Sequence, residues 1–371
     1  MTASRKKIVS IVGARPQFIK LAPLSRELRK KHREVLIDTG QHYDEEMAGV
    51  FFEEFKIPKP DHSLGIGSGE HGQQTGRMLV ALEKTLLSEK PELVVVFGDT
   101  NSTLAGALSA AKLNIPVAHV EAGLRSYDRT MPEEINRVLT DHISTLLFCP
   151  TDASKHNLRR EGITEGVNVV GDVMVDALDE SRKAAENHSK ILKELGLKPK
   201  EFQFMTLHRP SNVDIEKHLE GIIDAVGACN DKTVFSVHPR TAKMMKEFGI
   251  EKRLSPNILV TKPLSHMDAV WLVANAKRVL TDSGGLQKEA YLLGTPCITL
   301  RDTTEWVETI NAKWNTLVGH DPEKILAAVD SFKPPEYRPK IFGPAGASGR
   351  IADIVDHFLS EGKTEPKHRT R

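Results

Sequence analysis

Short runs rich in valine and isoleucine alternate with longer amphipathic stretches along this chain, and this alternation constrains its fold more than any other feature. The runs at 7–12, 93–97 and 117–120 are almost continuously apolar, as strands are when both faces of a sheet are covered. The stretches between them carry apolar residues at helical spacing. Strands that alternate with covering helices form parallel sheets, so the sequence predicts the α/β fold class.

The alternation runs through the chain twice, which predicts two domains. A second series of strands and helices begins after Asp172, and 371 residues exceed the roughly 250–300 that a single core commonly serves. We predict an N-terminal domain at 1–171 and a C-terminal domain at 172–348. A final helix at 349–360 is expected to pack back on the first domain, and 361–371 to be a flexible tail because it lacks apolar periodicity.

Charge and composition exclude several classes of partner. The chain carries 51 Lys and Arg against 50 Asp and Glu, so its net charge gives no reason to expect binding to nucleic acid or to an anionic membrane. No apolar run reaches the about 20 residues that span a bilayer. The three cysteines are far apart in apolar stretches, which indicates reduced thiols and a cytoplasmic location. Neither an H-E-x-x-H nor a C-x-x-C motif occurs, so we predict no metal site.

Acidic side chains follow two consecutive apolar strands of the predicted N-terminal domain. Glu121 comes directly after the strand at 117–120, and Glu133 and Glu134 follow shortly after it. Ligands of open α/β sheets bind beyond the carboxyl ends of the strands, so these carboxylates are expected to face a crevice. Asp99, just past the strand at 93–97, is either an acid–base group of raised pKa or the N-cap of the next helix.

Ser283, Gly284 and Gly285 stand between a predicted strand and a predicted helix. Their backbone N–H groups would lie at the helix N-terminus, where aligned peptide dipoles favour an anion such as a phosphate. Glu289, one turn further on, could accept hydrogen bonds from ribose hydroxyls. The alternative is that Ser283 only caps the helix and the glycines only form a tight turn.

Basic residues follow other strands. Arg15 lies after the first strand, where it could bind a phosphate or be an ordinary surface arginine. In the second domain a His-Arg pair, His208 and Arg209, follows one strand. His238 follows another strand, and Arg240 comes two residues later. Isolated histidines are commonly structural, but two at equivalent strand ends indicate a shared binding site.

Taken as an ordered set, several motifs of this chain resemble those of the non-hydrolysing UDP-N-acetylglucosamine 2-epimerases, from about residue 7 to about residue 356. The motifs are Gly13-Ala-Arg-Pro16, Thr39-Gly-Gln-His42, Gly98-Asp-Thr100, His119-Val-Glu-Ala-Gly-Leu-Arg125, Pro132-Glu-Glu134, Asn136-Arg137, His208-Arg209, Asp282-Ser-Gly-Gly-Leu-Gln287 and Arg301-Asp-Thr-Thr-Glu305. The resemblance implies two Rossmann-like domains that face each other across a cleft, the fold of GT-B glycosyltransferases. It also implies a homodimer that needs no cofactor.

The resemblance further implies a reaction and roles for individual residues. UDP is eliminated from UDP-N-acetylglucosamine to leave a 2-acetamidoglucal, and its re-addition gives UDP-N-acetylmannosamine. In this comparison the acid–base carboxylates are Asp99, Glu121 and Glu133, with His208 as the active-site histidine. The binding residues are Arg15, Arg137, Arg209, His238, Ser283, Gly284, Gly285 and Glu289. Arg137 is expected to orient the acids.

Other functions remain open from the sequence. Arg301-Asp-Thr-Thr-Glu305 also resembles the branch that acts on UDP-2,3-diacetamido-2,3-dideoxyglucuronate, whose additional carboxylate would require a further cation such as Arg209 or Arg240. A GT-B glycosyltransferase would share the UDP-binding residues but would have less use for three clustered carboxylates. A nucleotide-sugar sensor would need none of them.

Overall fold

The computed structural model describes residues 5–41 and 57–361, and the structural statements below refer to these residues. The chain divides into two compact units: the first extends to Ala177 and resumes at Phe342, and the second is Leu178–Ile341. Each unit has its own parallel sheet and its own hydrophobic core. The predicted α/β class is therefore confirmed.

The sheet of the first unit has seven parallel strands in the order β3-β2-β1-β4-β5-β6-β7. Their bounds are β1 Lys7–Val12, β2 Arg33–Asp38, β3 His62–Ser63, β4 Leu93–Phe97, β5 Val117–Val120, β6 Leu146–Cys149 and β7 Val167–Val169. The chain fills the sheet outwards from β1 in one direction and from β4 in the other. The carboxyl ends of β1 and β4 thus form a topological switch point, the usual ligand position in open α/β sheets.

The sheet of the second unit has six parallel strands in the order β10-β9-β8-β11-β12-β13. Their bounds are β8 Phe202–Thr206, β9 Lys232–Ser236, β10 Ile258–Thr261, β11 Arg278–Thr281, β12 Cys297–Thr299 and β13 Asn315–Leu317. The switch point of this sheet lies between β8 and β11. The segments that begin at Leu207 and at Asp282 meet there.

Helices connect the strands in both units. They are α1 Arg15–Lys31, α2 His71–Glu89, α3 Asn101–Lys112, α4 Pro132–Ile143, α5 Asp152–Arg160, α6 Val173–His188, α7 Ile191–Glu194, α8 Pro210–Val213, α9 Glu216–Gly227, α10 Pro239–Glu247, α11 His266–Asn275, α12 Gly284–Leu293, α13 Val307–Asn311, α14 Pro322–Ser331 and α15 Ala347–Ser360. A 3₁₀ helix covers Ile250–Arg253. None of these helices is long and apolar enough to cross a membrane.

The last helix, α15, belongs to the first unit. Its apolar side chains Ile351, Val355 and Leu359 lie in the same hydrophobic cluster as Leu21 and Leu28 of α1. The Nε of Arg350 donates a hydrogen bond to the carbonyl oxygen of Val170, 2.8 Å away. This packing explains why the chain returns to the first unit. Except for Glu361, the tail at 361–371 lies outside the described residues.

The apolar spacing of residues 176–195 predicts a single helix, and this prediction is wrong. The structure has α6 up to His188 and the short α7 from Ile191. The break falls at Ser189, whose hydroxyl lies 2.7 Å from Oδ1 of Asp268 and accepts from the backbone N–H of Ile191 at 3.4 Å. A serine that bonds to groups outside the helix competes with helical bonding, which ends the helix there.

Candidate active site

Asp99 lies at the switch point of the first sheet, in the turn that follows β4. Gly98 adopts φ +64° there, a left-handed conformation that glycine reaches without strain. The carboxylate of Asp99 pairs with Nη2 of Arg137 on α4. Nδ2 of Asn136 donates to the carbonyl oxygen of Asp99 at 3.0 Å, so α4 holds both the backbone and the side chain of this acid. The alternative role of Asp99 as a helix cap is wrong, because Thr100 is the N-cap of α3.

The environment of Asp99 changes its proton affinity. Desolvation by the surrounding protein raises the pKa of Asp99 above its ordinary value, although Arg137 and Lys20 act to lower it. The nearby carboxylate of Glu121 raises the pKa of Asp99 further. A carboxyl group whose pKa is raised by its surroundings holds a proton more readily, which suits an acid–base catalyst.

Glu121 lies in the turn after the neighbouring strand β5. Its φ of +74° is unusual for a residue with a side chain and costs about 1–3 kcal/mol, as is common at functional sites. Its backbone N–H donates to the carbonyl oxygen of Phe148 at 3.1 Å, which supports this conformation. The carboxylate pairs with Nζ of Lys20 on α1, and the side chain is 7% exposed.

Lys20 is a site residue that the sequence analysis missed. Its side chain is 13% exposed, and a Cβ atom placed on Gly98 would lie 3.5 Å from its Nζ and 3.4 Å from Oε2 of Glu121. The Lys20–Glu121 pair therefore lies against the turn that carries Asp99. The available signal was the position of Lys20 in the first turns of the helix that follows β1, at the switch point.

A buried network of hydrogen bonds and ion pairs supports the turn at Gly98. His119, which is fully buried, lies 2.7 Å from the carbonyl oxygen of Gly98 through Nε2 and 2.7 Å from Oδ1 of Asp141 through Nδ1. Nη1 of Arg125 donates to Oδ2 of Asp141 at 2.7 Å. Burial raises the pKa of Asp141, but His119 and Arg125 outweigh it, so that the pKa lies below its usual value. Arg125 belongs to the same sequence motif as Glu121. Its contact with Asp141 gives it a structural role.

The adjacent acids at the start of α4 have different environments. Glu133 is exposed. Glu134 is only 2% exposed, and its carboxylate accepts from the backbone N–H groups of Ser126 and Tyr127, each at 2.9 Å. Glu134 also lies 3.3 Å from Nη1 of Arg137. Glu134 therefore anchors a loop and Arg137, whereas the carboxylate of Glu133 is accessible to a ligand.

His208 and Asp282 meet at the switch point of the second sheet. Asp282, at the end of β11, is fully buried, and its Oδ1 lies 3.1 Å from Nδ1 of His208. Burial raises the pKa of Asp282, yet the hydrogen bond and the charge of His208 outweigh it, and the pKa is lowered. Arg209 is the N-cap residue of α8, and its Nε lies 3.3 Å from the carbonyl oxygen of Asp282.

His238 lies beside this pair, with its ring centroid 6.0 Å from that of His208. Its ring accepts a hydrogen bond at Nδ1 from the backbone N–H of Arg240 at 3.2 Å, so it caps α10. Burial lowers the pKa of His238, and His208 and Arg240 lower it further. A neutral ring at this position can donate from Nε2 to a ligand.

The N-terminus of α12 is capped by Ser283, and the phosphate site that the sequence also suggests there stays a prediction. Ser283 is the N-cap, and its hydroxyl accepts from the backbone N–H of Leu286 at 3.4 Å. No described group accepts the N–H of Gly284 or of Gly285, so two donors remain for an anion. Glu289 follows on the same helix and is half-buried.

Glu305 and Trp306 are further residues at this helix end that the sequence analysis did not assign. A Cβ atom on Gly284 would lie 1.9 Å from Oε1 of Glu305, so the carboxylate of Glu305 lies against the backbone of Gly284. Nε1 of Trp306 donates to the carbonyl oxygen of Gly284 at 2.8 Å. The side chain of Arg15 lies outside the described residues, although its backbone begins α1. In the described part of the chain, no group of three or more His, Cys, Asp or Glu could hold a metal ion.

Comparisons with known proteins decide the family. The model of the family described as UDP-N-acetylglucosamine 2-epimerase matches residues 26–356. The chain belongs to this family. It is therefore an isomerase, since the members are epimerases.

Two curated relatives and one solved structure illustrate the similarity. A UDP-N-acetylglucosamine 2-epimerase homolog of Methanococcus maripaludis is 52% identical over 94% of this chain and 99% of the relative. A UDP-2,3-diacetamido-2,3-dideoxy-D-glucuronate 2-epimerase of Pseudomonas aeruginosa is 43% identical over 94% and 99%. The crystal structure of the Methanocaldococcus jannaschii UDP-GlcNAc 2-epimerase with UDP-GlcNAc and UDP has a TM-score of 0.85, with 47% identity over 95% and 99% of the two chains.

A more distant structure supports the predicted fold class. The calicheamicin glycosyltransferase CalG4 matches 98% of this chain and 100% of its own with a TM-score of 0.56, at 14% identity. This likeness shows the shared glycosyltransferase fold alone. Both the fold and the family expected from the sequence motifs are therefore confirmed.

Proposed function

We propose that this epimerase interconverts UDP-N-acetylglucosamine and UDP-N-acetylmannosamine without a cofactor. The observation that carries the proposal is the pair of acids at the first switch point: Asp99, with its raised pKa, and Glu121, each of which has a cationic partner. The relative from Methanocaldococcus jannaschii, crystallised with UDP-GlcNAc and UDP, supports this choice of substrate.

The chemistry of the sugar requires elimination. The proton on C2 of an N-acetylhexosamine is not acidic, because no adjacent carbonyl can delocalise a carbanion. Breaking the bond between C1 and the UDP oxygen while C2 loses its proton avoids a carbanion and leaves a 2-acetamidoglucal. Re-addition of UDP at C1, with a proton delivered to the opposite face of C2, gives the epimer. Two proton-transfer groups on opposite faces are needed.

We assign a role in this reaction to each candidate residue. The acids Asp99, Glu121 and Glu133 transfer protons, and Arg137 orients Asp99. The open N–H groups at Gly284 and Gly285 and the side chain of Ser283 bind the diphosphate of the departing UDP. Glu289 binds the ribose, while Arg15, Arg209, His208 and His238 supply further cationic or donor groups to the phosphates and the sugar.

The diacetamidoglucuronate reaction is the alternative substrate assignment, since a relative that is 43% identical has that name. The additional carboxylate of that sugar requires a cation. Arg240, one of the two candidates in the sequence, already pairs with Asp214, with Nε 2.9 Å from Oδ1. This pairing leaves Arg209 as the candidate cation for that carboxylate. The family match favours an epimerase over a glycosyltransferase of the same fold.

Proton NMR of the purified protein with UDP-GlcNAc in D₂O tests the proposal. Appearance of UDP-ManNAc with deuterium at C2, without metal or nucleotide cofactor, is the expected result. Exchange only with the diacetamidoglucuronate analogue would support the alternative substrate. If neither sugar reacted until an acceptor was added, the glycosyltransferase assignment would replace the proposal.

The pH dependence of the reaction is expected to change when the ion pair between Asp99 and Arg137 is removed. Because Arg137 lowers the pKa of Asp99, replacing it in Arg137→Gln should raise that pKa. The limb of the kcat/KM profile that Asp99 controls then moves to higher pH, whether the acid or its anion is the active form. Arg137→Lys keeps the positive charge and should move the limb less. If this limb stays at the same pH in Arg137→Gln, the ionisation of Asp99 does not control the kcat/KM profile.

We also propose that the protein is a homodimer formed through the helices of the first unit. Val80 and Leu87 on α2 and Ile135 and Leu139 on α4 are large apolar side chains between 47% and 73% exposed. Leu139→Asp is expected to halve the mass measured by light scattering, since a dimer interface would bury this side chain. Tyr337→Asp, in the second unit, should leave the mass unchanged.

The cytoplasmic location stays a prediction.

A further inference from the structure

The carboxylate of Asp282 has an unusual set of partners for a fully buried charge. Its side chain is 0% exposed, and no lysine or arginine side chain of the described residues forms an ion pair with it. Among residues 5–41 and 57–361, the titratable side chain that pairs with it is that of His208, whose Nδ1 lies 3.1 Å from Oδ1. A buried carboxylate is costly unless it is hydrogen-bonded and paired, so this arrangement requires a reason.

Three neutral donors hold the carboxylate of Asp282 in one orientation. The backbone N–H of His208 lies 3.1 Å from both oxygens, and that of Arg209 donates to Oδ2 at 2.9 Å. Nδ2 of Asn212 donates to the same oxygen at 3.2 Å, and to the carbonyl oxygen of Leu300 at 2.8 Å. These donors favour the ionised form, and the pKa of Asp282 lies below its ordinary value.

The geometry determines which ring nitrogen of His208 carries the proton. An ionised carboxylate only accepts hydrogen bonds, so Nδ1 must be the donor. Nε2 then lies on the other side of the ring, and the side chain is 39% exposed, so this nitrogen is accessible to a ligand. His238 has the opposite arrangement, because its Nδ1 accepts from the backbone N–H of Arg240.

We propose that Asp282 is a positioning residue for the epimerase reaction: it fixes His208 as the Nδ1–H tautomer with Nε2 directed to the UDP-sugar. Nε2 can then accept a proton as the neutral ring or donate one as the cation. The carboxylate stabilises the imidazolium whenever the ring is protonated. This role rests on the proposed function, since it acts through a histidine that we assign to the substrate.

A double-mutant cycle tests this role by kinetics. Asp282→Asn is expected to lower kcat by about 10²- to 10⁴-fold, as the loss of a histidine-orienting carboxylate does elsewhere. The Kd of UDP should change by less than about threefold. In the His208→Gln background the same substitution should have almost no further effect on kcat, because Asp282 acts through the missing ring. Equal losses in both backgrounds would overturn the proposal and leave Asp282 with a structural role.

Nitrogen NMR of the unsubstituted protein gives a second, independent test. In the full chain labelled with ¹⁵N-histidine, His208 is assigned by comparison with His208→Gln. We expect a one-bond N–H coupling at Nδ1 and none at Nε2 for the neutral ring. A proton on Nε2 instead would overturn the proposal. Because this measurement needs no turnover, it tests the tautomer that Asp282 imposes on His208 even if the protein epimerises neither sugar.

Discussion

Replacing Glu121 with glutamine is expected to lower kcat for epimerisation by about 10²- to 10⁴-fold, the range that one acid–base group supplies. Glutamine has almost the same size and can still accept a hydrogen bond from Lys20 through its amide oxygen. It cannot take up or release a proton at the working pH. The substitution therefore keeps the contact with Lys20 beside the Gly98 turn but removes the proton-transfer group.

Two measurements separate this chemical effect from damage to the site. The Kd of UDP, measured by calorimetry, should stay almost unchanged, because the open N–H groups that we assign to the diphosphate belong to α12 in the other unit. Thermal unfolding should show a folded protein. Wild-type turnover in Glu121→Gln and also in Glu133→Gln would rule out these carboxylates as the proton-transfer groups.

The adjacent acids on α4 give a matched comparison for the same experiment. Glu133→Gln should lower kcat with little change in Tm, since this side chain is exposed. Glu134→Gln places an amide N–H₂ where the carboxylate accepts from Ser126 and Tyr127. An unsatisfied buried donor costs about 1–3 kcal/mol, so Tm should fall in this variant. Equal effects of the two substitutions would contradict their separate roles.

The sequence predicts the strands of both sheets where their signal is local. The runs that form β1 and β4 are apolar and rich in valine and isoleucine, and each was predicted with its observed bounds. The strands β7 and β13 have three residues each, too few for a pattern. They become strands because β6 and β12 offer edges with which they pair.

The candidate site was predictable as a set of residues but not as a set of pairs. Asp99 and Glu121 follow strands of the first sheet, and His208 and Ser283 follow strands of the second. Within each sheet, the carboxyl ends of the parallel strands lie at the same edge. Their partners depend on the strand order, which no local pattern encodes. Asp282 contacts a histidine that lies 74 positions earlier in the chain, because β8 and β11 are neighbours at the switch point.

Burial separates residues that look alike in the sequence. Glu133 and Glu134 are equivalent acids in the motif, and the loop at Ser126 and Tyr127 decides which of them is enclosed. Lys20 looks like a surface lysine of an amphipathic helix, yet the turns after β4 and β5 enclose it. These contacts join distant segments, so they follow from the assembled fold and not from spacing.

Gly285→Ala is expected to weaken UDP binding by at least about tenfold, or 1.4 kcal/mol, without destabilising the protein. Among the described residues, a Cβ atom on Gly285 would meet only Oγ of Ser283, at 3.9 Å, so there is room for it there. The diphosphate that we assign to this helix end must approach the backbone N–H groups closely, and a methyl group at this position would keep it away. Alanine also favours a helix over glycine by up to about 1 kcal/mol, so Tm should stay level or rise.

Gly349→Ala is the matched control for this substitution. Gly349 lies in the first turn of α15, which belongs to the other unit. No atom of the described part of the chain lies within 4 Å of a Cβ added there. The control should raise Tm to a similar extent and leave the Kd of UDP unchanged. Affinity and stability then move in opposite directions at Gly285 only, which general damage to the fold cannot produce. An unchanged Kd in Gly285→Ala would mean that the diphosphate does not approach the N-terminus of α12, and the assignment of Ser283, Gly284 and Gly285 would fail.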